Sequence, residues 1–188
     1  MPSKDQLRKK YHFLRKKKYF EVSMSYFKPL KSLLNSLSKK KKIYLSFYYP
    51  SNFEVNTLKL LKEVSLKRNV ISLLPAISGK NNMKFYRWNF LDSLKVNKYG
   101  MLEPFETKKN FVPDIILVPL LAFDNSNHRL GYGKGYYDKF LNEYLSINHK
   151  ILSIGVAFSF QKYNKLPTSK FDFKLNHVLT EKGMRNTL

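Results

Sequence analysis

The fold is decided by the segment Pro113-Asp-Ile-Ile-Leu-Val-Pro-Leu-Leu-Ala-Phe-Asp124, followed after four residues by Arg129-Leu-Gly-Tyr-Gly-Lys-Gly-Tyr-Tyr-Asp138. The nearly continuous apolar run Ile115–Pro119 is typical of a central parallel strand that is covered on both faces. A loop with three glycines in five positions comes next, and a helix is predicted at 134–145. This order of strand, loop and helix is typical of an α/β protein.

The flanking sequence continues the alternation of helices and strands. Helices are predicted at 4–19, 26–37 and 54–67, and strands at 43–49, 70–74, 83–89 and 151–158. In the first helix Lys4, Arg8 and Arg15 fall on one face. The stretch 91–112 is predicted to be irregular. We expect one α/β domain over 1–188, Rossmann-like, with a mainly parallel central sheet and helices on both faces.

Composition limits the class of protein. The 188 residues are 43% hydrophobic and 15% aromatic, which is enough apolar surface for one buried core. A chain of this length is too short for two full domains. The absence of cysteine excludes a disulfide framework, a thiolate zinc site and a cysteine nucleophile. The longest apolar run is about half the length of a membrane-spanning helix, and no secretory signal is visible. A cytoplasmic monomer is expected.

The net charge of +22 has two interpretations. Such a basic chain is typical of nucleic-acid binding. However, 29 of the basic residues are Lys and 6 are Arg, whereas proteins that read bases and phosphates favour the bidentate Arg. The bias towards Lys, Asn, Ile, Tyr and Phe also fits an AT-rich coding sequence. In either case a positive surface attracts anionic ligands.

The glycine loop has the parts of a cradle for a triphosphate and its magnesium ion. Glycines let backbone N–H groups converge on an anion, and a helix N-terminus adds its positive dipole end. Arg129 and Lys134 flank the loop, and Asp138 in the first helical turn is placed to hold a metal. The spacing is not that of a P-loop, and Tyr136 replaces the third glycine of the dinucleotide fingerprint. Taken alone, the glycines favour a tight structural turn.

The whole string R-L-G-Y-G-K-G-Y-Y-D, after a strand that ends in P-x-x-x-F-D, closely resembles the 5-formyltetrahydrofolate cyclo-ligases, also called methenyltetrahydrofolate synthetases. Three further segments match this family in the right order, so the resemblance covers nearly the whole chain. They are Lys4-Asp-Gln-Leu-Arg8, then Tyr49 with Glu54-Val-Asn-Thr57, and finally Pro167-Thr-Ser-Lys-Phe-Asp172 with Asn176-His-Val-Leu-Thr-Glu181.

The resemblance implies an ATP-dependent ring closure of 5-formyltetrahydrofolate to 5,10-methenyltetrahydrofolate, with release of ADP and phosphate. It implies catalytic roles for Lys134, Arg129 and Tyr136, and Mg²⁺ ligation by Asp138 and Asp172. The ATP-binding residues that it implies are Lys4, Asp5, Gln6, Leu7, Arg8, Arg129, Leu130, Gly131, Tyr132, Gly133, Lys134, Gly135, Tyr136 and Tyr137. The folate-binding residues are Tyr49, Glu54, Tyr132, Gly133, Lys134, Gly135 and Tyr136.

The matching segments also have plain structural interpretations. The segment 4–8 also fits an exposed helix face, Glu54 also fits a helix N-terminal acid, and Asp172 also fits a loop carboxylate. For the whole chain the alternatives are a basic nucleic-acid-binding protein and a sugar-phosphate or coenzyme A enzyme of similar fold. A DNA-binding protein has no need for three glycines followed by Tyr-Tyr-Asp, so this string favours the ligase.

Some positions depart from the family's pattern and put contacts with the substrate's tail in doubt more than the reaction. They are Asn56 and Asn176 for an Asp, Ala76 for a basic residue, and Tyr132 for the Arg of some members. Lys80 or Lys84 is expected to replace the missing basic residue.

The four lysines at 39–42 are expected to form a solvated connector. The four histidines, His12, His128, His149 and His177, are expected to be surface residues and not a metal site.

Overall fold

Helices and strands alternate along the chain in the computed structural model, which describes residues 2–38, 42–79, 82–107, 109–147 and 150–186. The helices are α1 (Lys4–Lys18), α2 (Lys28–Ser38), α3 (Leu58–Val64) and α4 (Tyr136–Ser146), with 3₁₀ turns at Met24–Phe27 and Ser159–Gln161. The strands are β1 (Ile43–Ser46), β2 (Val70–Ser78), β3 (Asn82–Arg87), β4 (Leu94–Val96), β5 (Leu102–Pro104), β6 (Ile115–Pro119), β7 (Ala122–Phe123), β8 (Arg129–Leu130), β9 (Leu152–Val156), β10 (His177–Thr180) and β11 (Gly183–Asn186).

Seven of these strands form one central sheet in the order β11-β10-β9-β6-β1-β2-β3. The inner strands from β10 to β2 are parallel, and the edge strands β11 and β3 are antiparallel to their neighbours. The predicted α/β class with a mainly parallel sheet is therefore confirmed. Since parallel strands need crossover connections, helices must cover the faces of such a sheet.

Strand β6 shows how both faces of the sheet are covered. Ile115 and Leu117 pack with α2 and α3 on one face, whereas Ile116 and Val118 pack with α4 on the other. All four side chains are at most 1% exposed. Alternate residues of a strand point to opposite faces, so one apolar run supplies both cores. Each buried side chain of this kind contributes about 1.5–3 kcal/mol.

Helix α1 begins as the sequence predicts. Ser3 and Gln6 form a reciprocal capping box at its N-terminus. The helix packs through Leu7 and Tyr11 against the β7–β8 hairpin and Leu166.

No helix in the described ranges is both long and apolar enough to cross a membrane.

Several predicted boundaries differ from the structure, and the two largest differences are in a helix and a strand. The helix predicted at 54–67 is only Leu58–Val64, because Thr57 is its N-cap and donates from Oγ1 to the Tyr48 carbonyl at 2.9 Å. The strand predicted to end before Pro75 continues to Ser78. Strand β1 pairs with β2 only as far as Leu73. Beyond that point β2 has a single paired edge, where proline is tolerated.

Other elements were absent from the prediction. The stretch 91–112, predicted to be irregular, contains the antiparallel β4–β5 hairpin, and the β7–β8 hairpin lies between the central strand and the glycine loop. Helix α4 begins at Tyr136 and not at 134, since Gly133 and Gly135 have φ of +92° and +69°. Of the predicted lysine connector 39–42, residues 39–41 lie outside the described residues.

Candidate active site

A cleft of about 480 Å³ lies where the strand order reverses between β1 and β6. From β1 the chain proceeds to β2 on one side, and from β6 it proceeds to β9 on the other. Ligands of open α/β sheets bind in such a crevice, outside the carboxyl ends of the strands. A volume of this size is typical of small-molecule sites.

Most of the predicted site residues line this one cleft. They are Lys4, Arg8, Tyr49, Glu54, Arg129, Leu130, Gly131, Tyr132, Gly133, Lys134, Gly135, Tyr136, Tyr137, Asp138 and Asp172. Three residues of the segment 4–8 do not line it. Asp5 is exposed and pairs with Arg8 at 2.5 Å, Gln6 caps α1, and Leu7 is buried in the core. Successive helical residues face different directions, so only Lys4 and Arg8 of this segment reach the cleft.

The glycine loop is packed beneath two guanidinium groups. Arg8 donates from Nε to the Gly131 carbonyl at 3.0 Å. A Cβ at Gly131 would come within 2.7 Å of Arg129 Nη1, and one at Gly133 within 3.1 Å of Arg8 Cζ. Gly133 also has a positive φ. Glycine is therefore required at 133 by the backbone conformation, whereas a Cβ at 131 would displace the Arg129 guanidinium.

The turn before the loop is held by a buried acid, Asp124. Its Oδ1 accepts from the Ser126 and His128 amides at 2.9 and 3.0 Å, and its Oδ2 accepts from the Leu166 amide at 3.1 Å. This explains the Asp of P-x-x-x-F-D as a structural residue. It supports the β7–β8 hairpin, which presents Arg129 to the cleft.

Four cations line the cleft, and two of them are paired with its carboxylates. Arg129 Nη2 lies 2.9 Å from Asp138 Oδ1, and Lys4 Nζ lies 2.5 Å from Asp172 Oδ2. Lys134 is exposed, and its ammonium lies over the Tyr99 ring at 5.1 Å from the centroid. With Arg8 these groups form a positive wall around the glycine loop, which suits a polyphosphate.

Asp138 and Asp172 are chemically suited to Mg²⁺. Burial opposes ionisation of Asp172, but hydrogen bonds from Lys4 and Ser169 prevail and lower its pKa. Arg129 and the Phe173 amide both contact Oδ1 of Asp138. Within the described part of the chain no cluster of three or more His, Cys, Asp or Glu side chains forms a metal site. Mg²⁺ commonly binds through one or two carboxylates plus substrate phosphates, so this pair fits.

Glu54 lies at the other end of the cleft and is 7% exposed. Its carboxylate accepts from the Ser51 amide at 2.9 Å and from the Tyr132 hydroxyl at 2.5 Å. Burial raises the pKa of Glu54, although Arg15, Tyr132 and Ser51 act in the opposite direction. The alternative role as a helix N-terminal acid is wrong, because no acid lies in the first turn of α3.

Sequence reasoning missed one wall of the cleft, the β4–β5 hairpin. Asn97, Tyr99, Met101 and Glu103 from this hairpin face the cavity. Glu103 is buried and accepts from the Ile77 amide and Asn97 Nδ2, both at 3.0 Å, which anchors the hairpin to β2. The sequence carried a signal for it, because Asn97 and Gly100 separate two short stretches of strand-like residues.

Tyr99 connects this hairpin to the glycine loop. Its hydroxyl lies 2.9 Å from the hydroxyl of Tyr136. This hydrogen bond is the main reason why the pKa of Tyr136 is raised to about 12 and that of Tyr99 is lowered. The contact closes the rim of the cleft beside Lys134.

Replacing Tyr99 by Phe is expected to raise modestly the KM values for the two expected substrates, ATP and 5-formyltetrahydrofolate. Loss of a hydrogen bond of this kind costs about 1 kcal/mol, which corresponds to roughly a fivefold effect. Steady-state kinetics with both substrates measures it, with Tyr44→Phe as the control because Tyr44 lies outside the cleft lining. Unchanged KM values for Tyr99→Phe would mean that the hairpin contact is irrelevant to binding.

Two of the positions that depart from the family's pattern, Asn56 and Asn176, have structural roles. Asn56 Oδ1 accepts from the Leu58 amide at 3.1 Å, and Asn176 Oδ1 accepts from Ser153 N and Oγ, both at 2.8 Å. Lys84 on β3 lies opposite Ala76 but does not line the cleft. The structure therefore does not support Lys84 as the replacement for the basic residue that is missing at position 76. Lys80 lies outside the described residues.

His12 is exposed, His128 and His177 are half-buried, and His149 lies outside the described residues.

Together, the fold and the site define an α/β enzyme that uses a nucleotide. A glycine loop at a helix N-terminus, four cations and two carboxylates surround a cleft at the switch point of the sheet. The family model described as the 5-formyltetrahydrofolate cyclo-ligase family matches residues 1–181. The chain belongs to this family and is an ATP-dependent ligase.

Individual relatives agree with this assignment. The chain is 28% identical over 152 residues to the 5-formyltetrahydrofolate cyclo-ligase of Haemophilus influenzae, covering 78% of this chain and 80% of the relative. It is 33% identical over 135 residues to that of Mycoplasma genitalium, covering 72% and 70%. The family and enzyme class expected from the sequence are thus confirmed, and the nucleic-acid and sugar-phosphate alternatives are not favoured.

Solved structures show the same fold. The Aquifex aeolicus 5,10-methenyltetrahydrofolate synthetase superposes with a TM-score of 0.72 at 34% identity, over 98% of this chain and 92% of that one. The Mycoplasma pneumoniae synthetase superposes with a TM-score of 0.67 at 24% identity, over 95% and 98%, and supports the fold.

Proposed function

We propose that 5-formyltetrahydrofolate and ATP meet in this cleft, where the chain makes 5,10-methenyltetrahydrofolate, ADP and phosphate. The observation that carries the proposal is the convergence of Arg8, Arg129 and Lys134 with Glu54 and Tyr49 on one cavity. The cations suit the triphosphate, and the buried carboxylate suits a polar heterocycle. A cytoplasmic location and a monomeric state stay predictions.

The chemistry explains why the enzyme needs ATP. The oxygen of a formamide is a poor leaving group, so it is first phosphorylated: it attacks the γ-phosphorus, and ADP leaves. N10 then attacks the formyl carbon and loses its proton to solvent, and the carbon–oxygen bond breaks with release of phosphate. Phosphoryl transfer depends on positioning and charge neutralisation more than on covalent protein chemistry. No residue of the cleft needs to act as a covalent nucleophile.

The phosphate side of the cleft comprises Lys4, Arg8, Arg129, Lys134 and the glycine loop. Backbone amides of residues 131–135 would hold the phosphates at the start of α4. Lys134, which is exposed and free to follow its target, would neutralise charge on the transferring group. Asp138 and Asp172 would hold Mg²⁺, which supplies further neutralisation of phosphate charge when bound. Their present cationic partners would then be released towards the phosphates.

The folate side comprises Glu54, Tyr49 and the face of the glycine loop that carries Tyr132 and Tyr136. A pterin ring presents adjacent N–H donors, and an ionised carboxylate accepts such a pair strongly. Glu54 lies in a nearly dry environment, where a charge-assisted hydrogen bond is stronger than in water. Tyr136, at the boundary between the two sides, is placed to contact both ligands.

The reaction itself is tested by absorbance in the methenyl-folate band. Purified protein mixed with 5-formyltetrahydrofolate and Mg²⁺ should produce the absorbance rise only when ATP is added. Release of one ADP for each ring closed should accompany it. A protein that binds both ligands but never produces the band would contradict the proposed function.

The N-terminal contact with ATP gives a sharper test. Arg8→Met is expected to raise KM for ATP about 10- to 100-fold, since hydrogen bonds with charged groups contribute about 1.5–3 kcal/mol. KM for the folate should change little. A point substitution is preferable to truncation, because Leu7 on the same turn is 1% exposed in the core.

Lys9→Met is the matched control for Arg8→Met, as a neighbouring exposed cation that does not line the cleft. It should leave both KM values near those of the wild type. Equal losses of ATP and folate affinity in Arg8→Met would show that Arg8 has only a structural role.

A further inference from the structure

Arg15, in the last turn of α1, lies directly beneath the folate side of the cleft. Its side chain is 1% exposed. Nη1 donates to the Leu120 carbonyl at 3.2 Å, and Nη2 donates to the Tyr132 hydroxyl at 2.5 Å. Nε is buried and has no hydrogen-bond partner in the described structure. A buried guanidinium that is not fully satisfied is costly, so a structural role alone accounts poorly for it.

The carboxylate that offsets this charge is Glu54. Arg15 Nη1 lies 3.9 Å from Glu54 Oε1. The Tyr132 hydroxyl accepts from Arg15 and donates to the same Glu54 oxygen. A continuous path therefore runs from a buried cation, through a tyrosine of the glycine loop, to the carboxylate that faces the cavity.

The other groups that face Glu54 are neutral. Tyr48 lies after β1, Tyr132 in the glycine loop and Tyr137 in α4, and the pKa of each is raised, chiefly by burial. Each of these hydroxyls is therefore protonated at neutral pH. Ser51, in the turn that carries Glu54, contributes its amide. Of the described residues, Arg15 is the cation that forms an ion pair with this carboxylate.

We propose that Arg15 is a positioning residue that keeps Glu54 ionised and, through Tyr132, directs its carboxylate into the folate side of the cleft. The inference rests on the proposed contact between Glu54 and the folate. Arg15 itself touches no substrate, because it is absent from the residues that line the cavity.

The direction of the expected pH effect follows from the two opposing influences on Glu54. Burial raises the pKa of Glu54, and the Arg15 charge opposes that rise. Without this charge the pKa of Glu54 rises further, so the carboxyl becomes protonated at a higher pH. The acid limb of kcat/KM for the folate should then move to higher pH, whereas KM for ATP should not change.

Three variants test the proposal through pH profiles of kcat/KM for each substrate. We expect Arg15→Met to move the acid limb of the folate profile upward by about one pH unit or more, which lowers kcat/KM on the acid side of that limb by about tenfold. Arg15→Lys should restore most of the loss, because it keeps the charge. Tyr132→Phe should move the limb in the same direction by less, and it serves as the test if Arg15→Met does not fold.

The control is Lys16→Met, which removes the neighbouring exposed cation of α1. Its profiles should match the wild type. An acid limb that stays in place in both Arg15→Met and Tyr132→Phe, together with a Glu54 titration that does not move, would overturn the proposal.

A titration of the Glu54 carboxyl in the ligand-free enzyme separates this proposal from the one on which it rests. Carbon-13 NMR can follow it, with Glu54→Gln to assign the signal. A carboxyl titration that moves in Arg15→Met supports the role of Arg15 even if folate kinetics do not change, in which case the contact between Glu54 and the folate is wrong. A titration that does not move refutes the role of Arg15.

Discussion

Lys134→Ala is expected to lower kcat by about 10²–10³-fold, the usual cost of removing one donor that stabilises charge in a transition state. Lys134 lies in the glycine loop, is exposed, and has its ammonium over the Tyr99 ring and not in an ion pair with a carboxylate of the described structure. Its charge is thus available to a phosphoryl group. Because the side chain is exposed, the melting temperature should hardly change.

Rapid-quench measurement of ADP formation and a thermal melt would separate the two effects. The control is Lys165→Ala, another exposed lysine that does not line the cleft, and it should behave as the wild type. A Lys134→Ala enzyme with wild-type kcat would show that the glycine loop is only a structural turn.

Glu54→Gln is expected to lower kcat/KM for the folate by about 100-fold and to leave KM for ATP nearly unchanged. The reason is that an amide keeps one acceptor oxygen but replaces the other by a donor, and a buried charged hydrogen bond is worth about 1.5–3 kcal/mol. The pH profile gives a second readout. In the wild type, with a raised pKa, folate kcat/KM should fall as acid protonates Glu54. The Gln variant should lack this limb.

Glu63→Gln is the matched control, since Glu63 lies in the adjoining helix α3 and pairs at the surface with Lys31 at 2.5 Å. Surface ion pairs contribute about 1 kcal/mol or less, so neither kinetics nor stability should change much. If Glu54→Gln keeps wild-type folate kinetics and the same acid limb, Glu54 is not a folate contact.

Local signals predicted those parts of the molecule whose conformation depends on neighbouring residues. The apolar run Ile115–Pro119 became a strand buried on both faces, with the predicted bounds. Helix α1 begins at the predicted residue Lys4, where Ser3 and Gln6 form a capping box. Gly133 and Gly135 took positive φ. In each case the cause acts within a few residues, through solvent exclusion, a reciprocal cap or the absence of a Cβ.

The sequence could not show which of the predicted site residues meet. The segment 4–8 was predicted as one ATP-binding unit, yet the helix sends Lys4 and Arg8 to the cleft and Leu7 to the core. The β4–β5 hairpin became a wall of the site only because Glu103 anchors it to β2. Contacts between distant segments depend on how helices pack on the sheet, which residue spacing does not determine.

By itself, therefore, the sequence determined the α/β class, the glycine loop and the residue types that can hold phosphate, since these follow from local periodicity and backbone chemistry. Only the tertiary structure decided that Arg15 is buried and joined through Tyr132 to Glu54. In sequence Arg15 is one more cation in a basic helix of an already basic chain. The burial and the pairing of Arg15 depend on two segments that lie far away along the chain, because they arise only when the helix packs over the sheet.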